Sequence, residues 1–385
     1  MKKWILSIFI LATTALLLGG CEATPSGQVQ NTIKSIPDTL LRVRMDALAT
    51  YLDSTDLATS VSSDSLFYVL HRLKYGQRPP NMSHLAQKES IDTTGLVQTI
   101  TRFFDSDNPR FIDEIRALEP GAQQYHVLKN HYKRLLREEK NDSLVIIQKS
   151  LNVFRWIQRY TTGTFALINI PSAELLVNDS LGKETLRMRV IVGTRRNQTP
   201  SFATYTNEII TYPYWNVPRS IATKEILPKV KRNVGYLANN NMQVIGKSGR
   251  ALDPYSISWA SFNASNFPYR FRQSTGCDNA LGVVKFNLAS PYAIYMHDTN
   301  SRSLFSREYR WLSHGCIRLE KPAELANYIL NEPLFDEEFL NQCLIGAKPG
   351  SIKPSKPLPV FIMYMLADVD EQGRLRWNKN VYNWR

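Results

Sequence analysis

A thiol, two imidazoles and a glycine lie close together near the end of this chain. The segment Ser313-His314-Gly315-Cys316 follows His297, and Cys316 stands nineteen positions after that histidine. A cysteine attacks as its thiolate, so it needs a nearby base or cation that lowers its pKa. Gly315 permits a turn in which backbone N–H groups point at one spot and stabilise a developing oxyanion. These residue types in this order predict an acyl-transfer site.

The same residue types could instead bind a metal ion, and a cysteine can also be an inert core residue. A zinc site made by His297, His314 and Cys316 would need a fourth ligand at close spacing, and the sequence has no Cys-x-x-Cys or His-x-x-x-His pair. We therefore expect no metal and no cofactor. Cys343 has no such companions, which is typical of an inert core cysteine.

The start of the chain predicts export rather than a folded element. Residues 1–21 have a positive beginning, an apolar run from Trp4 to Leu18, and the ending Leu18-Gly19-Gly20-Cys21. The apolar run is shorter than the roughly 20 residues of a membrane span. Its ending resembles the lipobox of bacterial lipoproteins, in which the cysteine is lipidated. We expect a lipid anchor at Cys21, followed by a flexible tether over residues 22–35.

Composition limits the class of partner. The chain has 385 residues and a formal charge of +13, or +11 once Lys2 and Lys3 leave with the signal. Such a basic surface suits anionic partners, and export excludes nucleic acid. If Cys21 is lipidated and Cys316 stays a thiol, Cys277 and Cys343 could form a disulfide, which the sequence leaves open.

The folded part of the chain has two kinds of sequence pattern, one typical of helices and one typical of strands, which predicts an α+β protein. Residues 36–160 show apolar positions near a 3.6-residue period, which predicts helices. From Thr164 onward, runs rich in β-branched and aromatic residues predict strands, and helices are expected at 322–331 and 335–345. The uneven spacing of the strands favours a mixed sheet over a doubly wound one. The long insertion 219–276 predicts a lid or small subdomain whose aromatic residues form mainly its own core.

At its histidine and its Ser-His-Gly-Cys-x-Arg motif the chain resembles the L,D-transpeptidases, the YkuD-like cysteine enzymes of the bacterial cell wall. Ser313 stands sixteen positions after His297, and Arg318 ends the motif. The resemblance covers roughly residues 60–385, and the chain is similar to the large Gram-negative type with a scaffold domain. It implies a helical scaffold domain at 36–160 and a β-rich catalytic domain at 161–385, with 219–276 as the cap. The second thiol at Cys277, just before Asn279, departs from the family pattern.

The resemblance also implies roles and partners. Cys316 would be the nucleophile, His297 the general base and acid, the Asp298 backbone carbonyl its orienter, and His314 with Gly315 the oxyanion region. The expected substrate-binding residues are Arg318, Ser313, Tyr295 and Asn279, although Arg318 suits a structural ion pair equally well. The substrates would be peptidoglycan stem peptides, which the enzyme would join by 3-3 cross-links. The protein itself would be a periplasmic, membrane-anchored lipoprotein of a Gram-negative bacterium. An L,D-carboxypeptidase, attachment of a wall protein, and a non-catalytic wall-binding lipoprotein are the alternatives.

Overall fold

The computed structural model describes residues 36–52, 63–105 and 107–384. The predicted signal peptide of residues 1–21, the tether of residues 22–35 and Cys21 lie outside the described residues and stay predictions. Among the helices of the described ranges, none combines the length and apolar composition needed to cross a bilayer. The chain divides into two compact units, which are described in turn.

The first unit takes its structure from residues up to 73 and from residues 91–119. Its helices are α1 (Asp38–Leu52), α2 (Ser63–Tyr75), α3 (Thr93–Phe104) and α4 (Phe111–Arg116). Helix α3 begins after Asp92, whose carboxylate accepts a hydrogen bond from the Gly95 N–H at 2.8 Å. Leu96, Ile100 and Phe103 of α3 repeat at helical spacing and are fully buried. Packing of such amphipathic faces therefore accounts for this unit.

The second unit, residues 74–90 and 120–385, is built on strands. In chain order they are β1 (Met82–Leu85), β2 (Phe165–Asn169), β3 (Glu174–Asn178), β4 (Glu184–Gly193), β5 (Ser201–Thr211), β6 (Trp215–Asn216), β7 (Met242–Ile245), β8 (Ala251–Leu252), β9 (Arg270–Gln273), β10 (Val284–Leu288), β11 (Met296–His297), β12 (Trp311–Ser313), β13 (Ile317–Leu319), β14 (Gly350–Ile352), β15 (Leu358–Met363), β16 (Ala367–Val369) and β17 (Leu375–Trp377). The main sheet has eleven strands in the order β1-β5-β10-β11-β13-β4-β3-β2-β15, with β12 beside β4 and β14 beside β5.

This main sheet is mixed and closes on itself. Strand β15 pairs with β2 in parallel and with β5 in antiparallel orientation, so the last strand of the order returns to the second. The pairs β11–β13 and β12–β4 are also parallel, whereas β10–β11 and β13–β4 are antiparallel. The predicted α+β class with a mixed sheet is confirmed. Closure leaves few exposed strand edges.

The sheet is covered on both faces. In β2, Ala166 and Ile168 belong to the core inside the closed sheet, whereas Phe165 and Leu167 belong to a second core outside it. Helices α5 (Gln123–Arg137) and α6 (Asn141–Ile157) supply the other side of that second core. A strand buried on both faces needs the continuous apolar run that residues 165–168 provide.

Helices α5 and α6 belong to the second unit, although the sequence analysis assigned them to the scaffold region of residues 36–160. Tyr125 of α5 and Trp156 of α6 are fully buried in the outer core, and the Trp156 ring packs on Phe361 of β15. The compact unit therefore extends back to residue 120, ahead of the predicted boundary at 161. The reason is burial: the outer face of β2 and β15 is apolar and these helices cover it.

The insertion between β5 and β10 is a small subdomain with its own core. It contains α7 (Arg219–Ile221), a π-helical turn (Ala222–Ile226), α8 (Leu227–Arg232) and α9 (Gly235–Asn239). A four-stranded sheet of order β6-β9-β7-β8 completes it. Trp259, Phe267 and Phe271 are at most 5% exposed and pack together. The expectation that these aromatic residues form mainly the core of the insertion is confirmed.

Two helices follow the site motif, as expected, with shorter bounds. Helix α10 (Pro322–Leu330) begins with proline in its first turn and ends at Asn331, which has a left-handed φ of 55°. Helix α11 (Glu337–Asn341) begins after Asp336, whose side chain accepts a hydrogen bond from Phe339 N–H. The second prediction, 335–345, was too long because Asp336 starts the helix and the chain turns extended at Gln342.

Candidate active site

Strand register gathers five functional side chains on one face of the sheet. His297 of β11 stands opposite Lys285 of β10 and opposite Arg318 of β13. Side chains alternate along a strand, so Tyr295 and Cys316, each two residues before a member of this row, project from the same face. The residues between them face the hydrophobic core, namely Phe286, Met296 and Ile317.

The turn that carries Cys316 is closed by its own serine. Ser313 Oγ donates to the Cys316 carbonyl at 2.6 Å and accepts from the Gly315 N–H at 3.1 Å. Gly315 has φ +114°, a conformation that other residues rarely adopt. Ser313 therefore shapes the turn and is 2% exposed; its substrate-binding role stays a prediction. The Gly315 N–H is engaged by Ser313, so this amide is not an open oxyanion donor here.

A hydrogen-bonded chain from distant residues supports the same turn. Thr199 Oγ1 donates to the Gly315 carbonyl at 2.8 Å and accepts from the Gly193 N–H at 2.9 Å. Tyr382 Oη donates to the Gly193 carbonyl at 2.6 Å and accepts from the Thr199 N–H at 3.3 Å. Thr199 is fully buried and Tyr382 nearly so. These two residues were not foreseen, since neither lies near the motif in sequence.

His297 is buried and oriented by a backbone carbonyl. Its Nδ1 lies 2.5 Å from the Asp298 carbonyl oxygen, the geometry expected for the orienting group. A carbonyl only accepts, so Nδ1 carries the proton and Nε2 keeps its lone pair. Burial, followed by the positive charge of Arg318, lowers the pKa of His297 to about 3. The imidazole is therefore neutral near pH 7, with a lone pair on Nε2.

The side chain of Asp298 holds the segment that carries this histidine. Its carboxylate accepts from the Val283 N–H at 3.0 Å and pairs with Arg302 at 2.9 Å. Burial raises the pKa of Asp298, while the Val283 amide and Arg302 lower it. The backbone of Asp298 thus orients His297, and its side chain anchors that backbone to the loop before β10.

The thiol of Cys316 is partly exposed and lies among hydrogen-bond donors and positive charges. Its Sγ donates to the Ala293 carbonyl at 3.6 Å and, within the part of the chain that the structure describes, not to His297. Burial raises the pKa of the Cys316 thiol above its ordinary value, and hydrogen bonds from Tyr295 with the charges of Lys285 and Arg318 oppose only part of that rise. Catalytic hydrogen bonds often tighten only when substrate is bound. Cys316 is the one free cysteine of the described residues.

The sequence around this site matches a known protein family. Residues 163–362 match the family model described as YkuD, L,D-transpeptidase catalytic domain. That match covers the closed sheet, the insertion and the whole constellation around Cys316.

The chain belongs to the L,D-transpeptidase family.

A curated relative from Haemophilus influenzae, named "Putative L,D-transpeptidase", is 37% identical over 230 residues. The match covers 60% of this chain and 46% of the relative, so the chain spans about half the length of the curated protein it matches. Among solved structures, an L,D-transpeptidase from Mycobacterium smegmatis is 14% identical with a TM-score of 0.24, covering 52% of this chain and 58% of the other. L,D-transpeptidase 1 of Mycobacterium tuberculosis is 12% identical with a TM-score of 0.21, covering 52% and 61%.

The remaining residues expected from the family motif lie in different surroundings. Arg318 and Tyr295 line the face that carries Cys316; burial lowers the pKa of Arg318. Tyr295 is in hydrogen-bond contact with the thiol, and burial and the charge of Cys316 raise its pKa. His314 is half exposed, and its Nε2 lies 2.7 Å from Glu225 in the π-helical turn of the insertion. The imidazole of His314 thus contacts the cap, and its predicted oxyanion role is not supported by a contact with Cys316.

Asn279 is buried and hydrogen-bonded to backbone groups, and its predicted substrate-binding role stays a prediction. It is 1% exposed, and its Nδ2 donates to the carbonyls of Pro213 at 2.9 Å and Ser274 at 2.8 Å. Its Oδ1 accepts from the Leu281 N–H at 2.8 Å. Pro213 and Ser274 stand at the two ends of the insertion, so Asn279 joins both of its roots to the catalytic fold.

Cys277 and Cys343 form a disulfide, with Cα atoms 4.9 Å apart. This settles the pairing that the sequence left open. It also corrects the expectation that Cys343 is inert core, since the residue is exposed and cross-linked. The bridge joins the segment before Asn279 to the segment after α11, where Thr275 Oγ1 also donates to the Ala347 carbonyl at 3.1 Å.

No group of three or more His, Cys, Asp or Glu side chains in the described ranges is arranged to hold a metal ion. The polar groups around Cys316 are instead an imidazole, a phenol, an ammonium and a guanidinium. Such a set suits proton transfer and stabilisation of negative charge.

Proposed function

We propose that this protein is a peptidoglycan L,D-transpeptidase that works by cysteine acyl transfer. The observation that carries the proposal is the row Lys285–His297–Arg318 with Cys316 on the same face. A nucleophile, a neutral oriented base and fixed positive charges meet there. Membership of the family supports the reaction class, and the motif supports the assignment of Cys316 as nucleophile.

In the first step, Sγ of Cys316 attacks the carbonyl of the third residue of a tetrapeptide stem. The S–C bond forms, and the thiol proton passes to Nε2 of His297, the nitrogen that keeps its lone pair when Nδ1 donates to the Asp298 carbonyl. The amide bond to the terminal D-Ala then breaks, and the D-Ala amine leaves with a proton from His297. The product is a thioester on Cys316.

In the second step, the side-chain amine of a neighbouring stem attacks the thioester. His297 takes the proton of the amine, the new amide bond forms, and the C–S bond breaks to restore Cys316. The link joins two third residues, which is a 3-3 cross-link. The Cys316 N–H has no hydrogen-bond partner among the described residues, and we assign it to the developing oxyanion, with the Tyr295 hydroxyl as a second donor.

We also propose that the enzyme is exported and held at a membrane by a lipid on Cys21. The support is the sequence of residues 1–21 and its resemblance to lipoprotein signals. A periplasmic location follows from the substrate, because stem peptides lie outside the cytoplasm. The lipid would keep this positively charged chain close to the wall.

The test is mass spectrometry of the protein after incubation with disaccharide-tetrapeptide, alongside the Cys316→Ala variant. We expect tripeptide–tetrapeptide dimers from the parent protein and none from the variant. Tripeptide monomer alone would assign the site to an L,D-carboxypeptidase, with water as acceptor. Absence of both product and thioester mass on Cys316 would overturn catalysis and leave a wall-binding lipoprotein.

A further inference from the structure

Lys285 is a charged side chain inside the catalytic sheet that the two steps above do not use. It stands opposite His297, so both side chains project from the same face. Its Nζ lies 4.4 Å from the centroid of the Tyr295 ring, within the range of a cation–π interaction. Tyr295 in turn contacts the thiol of Cys316. The inference that follows rests on the proposed function, since it concerns the same cysteine.

An ordinary structural ion pair does not account for this lysine. Glu208 on β5 is the acidic residue that acts on it, but the Glu208 carboxylate accepts hydrogen bonds from Ser351 and Asn287. Within the ranges that the structure describes, no carboxylate lies within ion-pair distance of Lys285. A partly buried ammonium is costly unless negative charge or a π-face compensates for lost water. The compensating groups here are the Tyr295 ring and the sulfur of Cys316.

We propose that Lys285 is a positioning residue that stabilises the thiolate form of Cys316 by placing its ammonium group against the Tyr295 ring beside the sulfur. The thiol proton leaves to Nε2 of His297 during acylation, or to water when the pH is raised, and the electron pair stays on Sγ. The ammonium group keeps its own protons throughout. Its effect is to make the charged form of the sulfur easier to reach.

The other charged groups near the sulfur make the role of Lys285 specific. The titratable groups that face the site are His297 and Tyr295 around β11, Arg318 on β13, Lys285 on β10, and His314 with Glu225 at the turn and the insertion. Burial keeps His297 neutral, so it supplies no positive charge to the resting sulfur. The positive charge that lowers the pKa of Cys316 comes from Lys285 and Arg318. The thiolate acts back on Lys285, because it opposes the lowering of the lysine pKa by burial.

The test measures the alkylation rate of Cys316 by iodoacetamide between pH 5 and pH 10 in the full-length protein, with peptide mass spectrometry to separate Cys316 from Cys21. The reagent is neutral, so loss of a protein charge does not alter its attraction to the site. Alkylation forms an S–C bond and releases iodide, and its rate follows the thiolate fraction. We expect Lys285→Met to move the midpoint upward by about one pH unit, which is about a tenfold lower rate at pH 7. Lys285→Arg should restore the midpoint.

The matched control is Lys149→Met, which removes one charge from an exposed position of α6 and should leave the midpoint unchanged. If circular dichroism shows that Lys285→Met is unfolded, Lys285→Gln takes its place. A midpoint in either folded variant equal to that of the parent protein would overturn the proposal. Equal shifts in the Lys149 and Lys285 variants would overturn it as well, since they would show only general charge. Alkylation needs no stem peptide, so a protein that makes no cross-link still gives a clear answer for Lys285.

Discussion

His297 is neutral near pH 7 because burial outweighs every contact that would favour its charged form. Arg318 and Lys285 add to this lowering of the pKa, and only the carbonyls of Asp298 and Leu281 oppose it. A base that is already deprotonated accepts the thiol proton without a prior ionisation. The same burial has a consequence for stability, since an unfolded histidine is protonated at a pH where the native one is not.

We predict that His297→Gln reduces the loss of stability at acid pH. The native pKa is about 3, and an unfolded histidine has a pKa of about 6.5. Below pH 6.5 the unfolded chain therefore binds a proton that the native protein does not, and the free energy of unfolding falls as pH falls. Between pH 7 and pH 5 this amounts to about 2 kcal/mol for one histidine. Urea denaturation at both pH values measures it, and the variant should lack this part.

The difference in pH dependence between the parent protein and His297→Gln isolates the contribution of His297. Asp298 and the other acidic residues titrate in both proteins, so their contributions cancel in the comparison. Equal pH dependence in parent and variant would mean that His297 is not desolvated in the native state. The same samples should show loss of acylation by His297→Gln at pH 7, about 100-fold or more for removal of a general base.

At the scale of elements, the site depends on backbone segments far apart in the chain. The Cys316 turn after β12 is hydrogen-bonded to Thr199, which lies before β5, and Thr199 is hydrogen-bonded to Tyr382 near the end of the chain. The histidine on β11 is braced through Asp298 by the loop before β10. Each bond satisfies a polar group that burial would otherwise leave unpaired. The catalytic geometry is therefore a property of the closed sheet and its hairpins together.

We predict that Thr199→Val lowers kcat by about 10-fold to 100-fold with little change in KM. Valine keeps the shape but removes the hydroxyl, which leaves the Gly315 carbonyl and the Gly193 N–H without their shared partner. The turn then loses its fixed position relative to His297. Thr199→Ser keeps the hydroxyl and should retain most of the rate. Steady-state kinetics on a tetrapeptide substrate with both variants decides between positioning and simple folding: a serine variant as slow as the valine variant would contradict a role for the hydroxyl.

The sequence predicts a strand or a motif well where the signal lies in one contiguous stretch of residues. Residues 165–168 form a continuous apolar run within β2, and the motif at 313–316 is contiguous, so both can be recognised from the sequence alone. Thr199 and Lys285 are different, because nothing near them in sequence marks them as part of the site. Only the register of β10 against β11 and the closure of the turn bring them there. The same holds for the Cys277–Cys343 bridge, which pairs segments 66 residues apart.

At the scale of the whole molecule, the two faces of the closed sheet contact different parts of the chain. Core residues fill the inside, and α5 and α6 cover the outside around β2 and β15. The row of site residues stands at the strands β10, β11 and β13, below an insertion that reaches the site through the Glu225–His314 contact. Strands β10, β11 and β13 thus carry site residues on one face and core residues on the other. The chain that carries them is basic, with a formal charge of +13.

The last prediction concerns where this catalytic unit works. If Cys21 carries a lipid, Cys21→Ser should move the protein from the membrane fraction to the soluble fraction of its bacterial host, because one serine cannot bear a thioether-linked anchor. The purified variant should keep its full rate of acylation, since Cys21 lies ahead of the described fold and Cys316 is untouched. Cys316→Ala is the matched control: it should stay with the membrane and lose acylation. Intact mass of the processed chain measures the lipid directly, and a Cys21→Ser protein that remains membrane-bound would show that residue 21 is not the anchor.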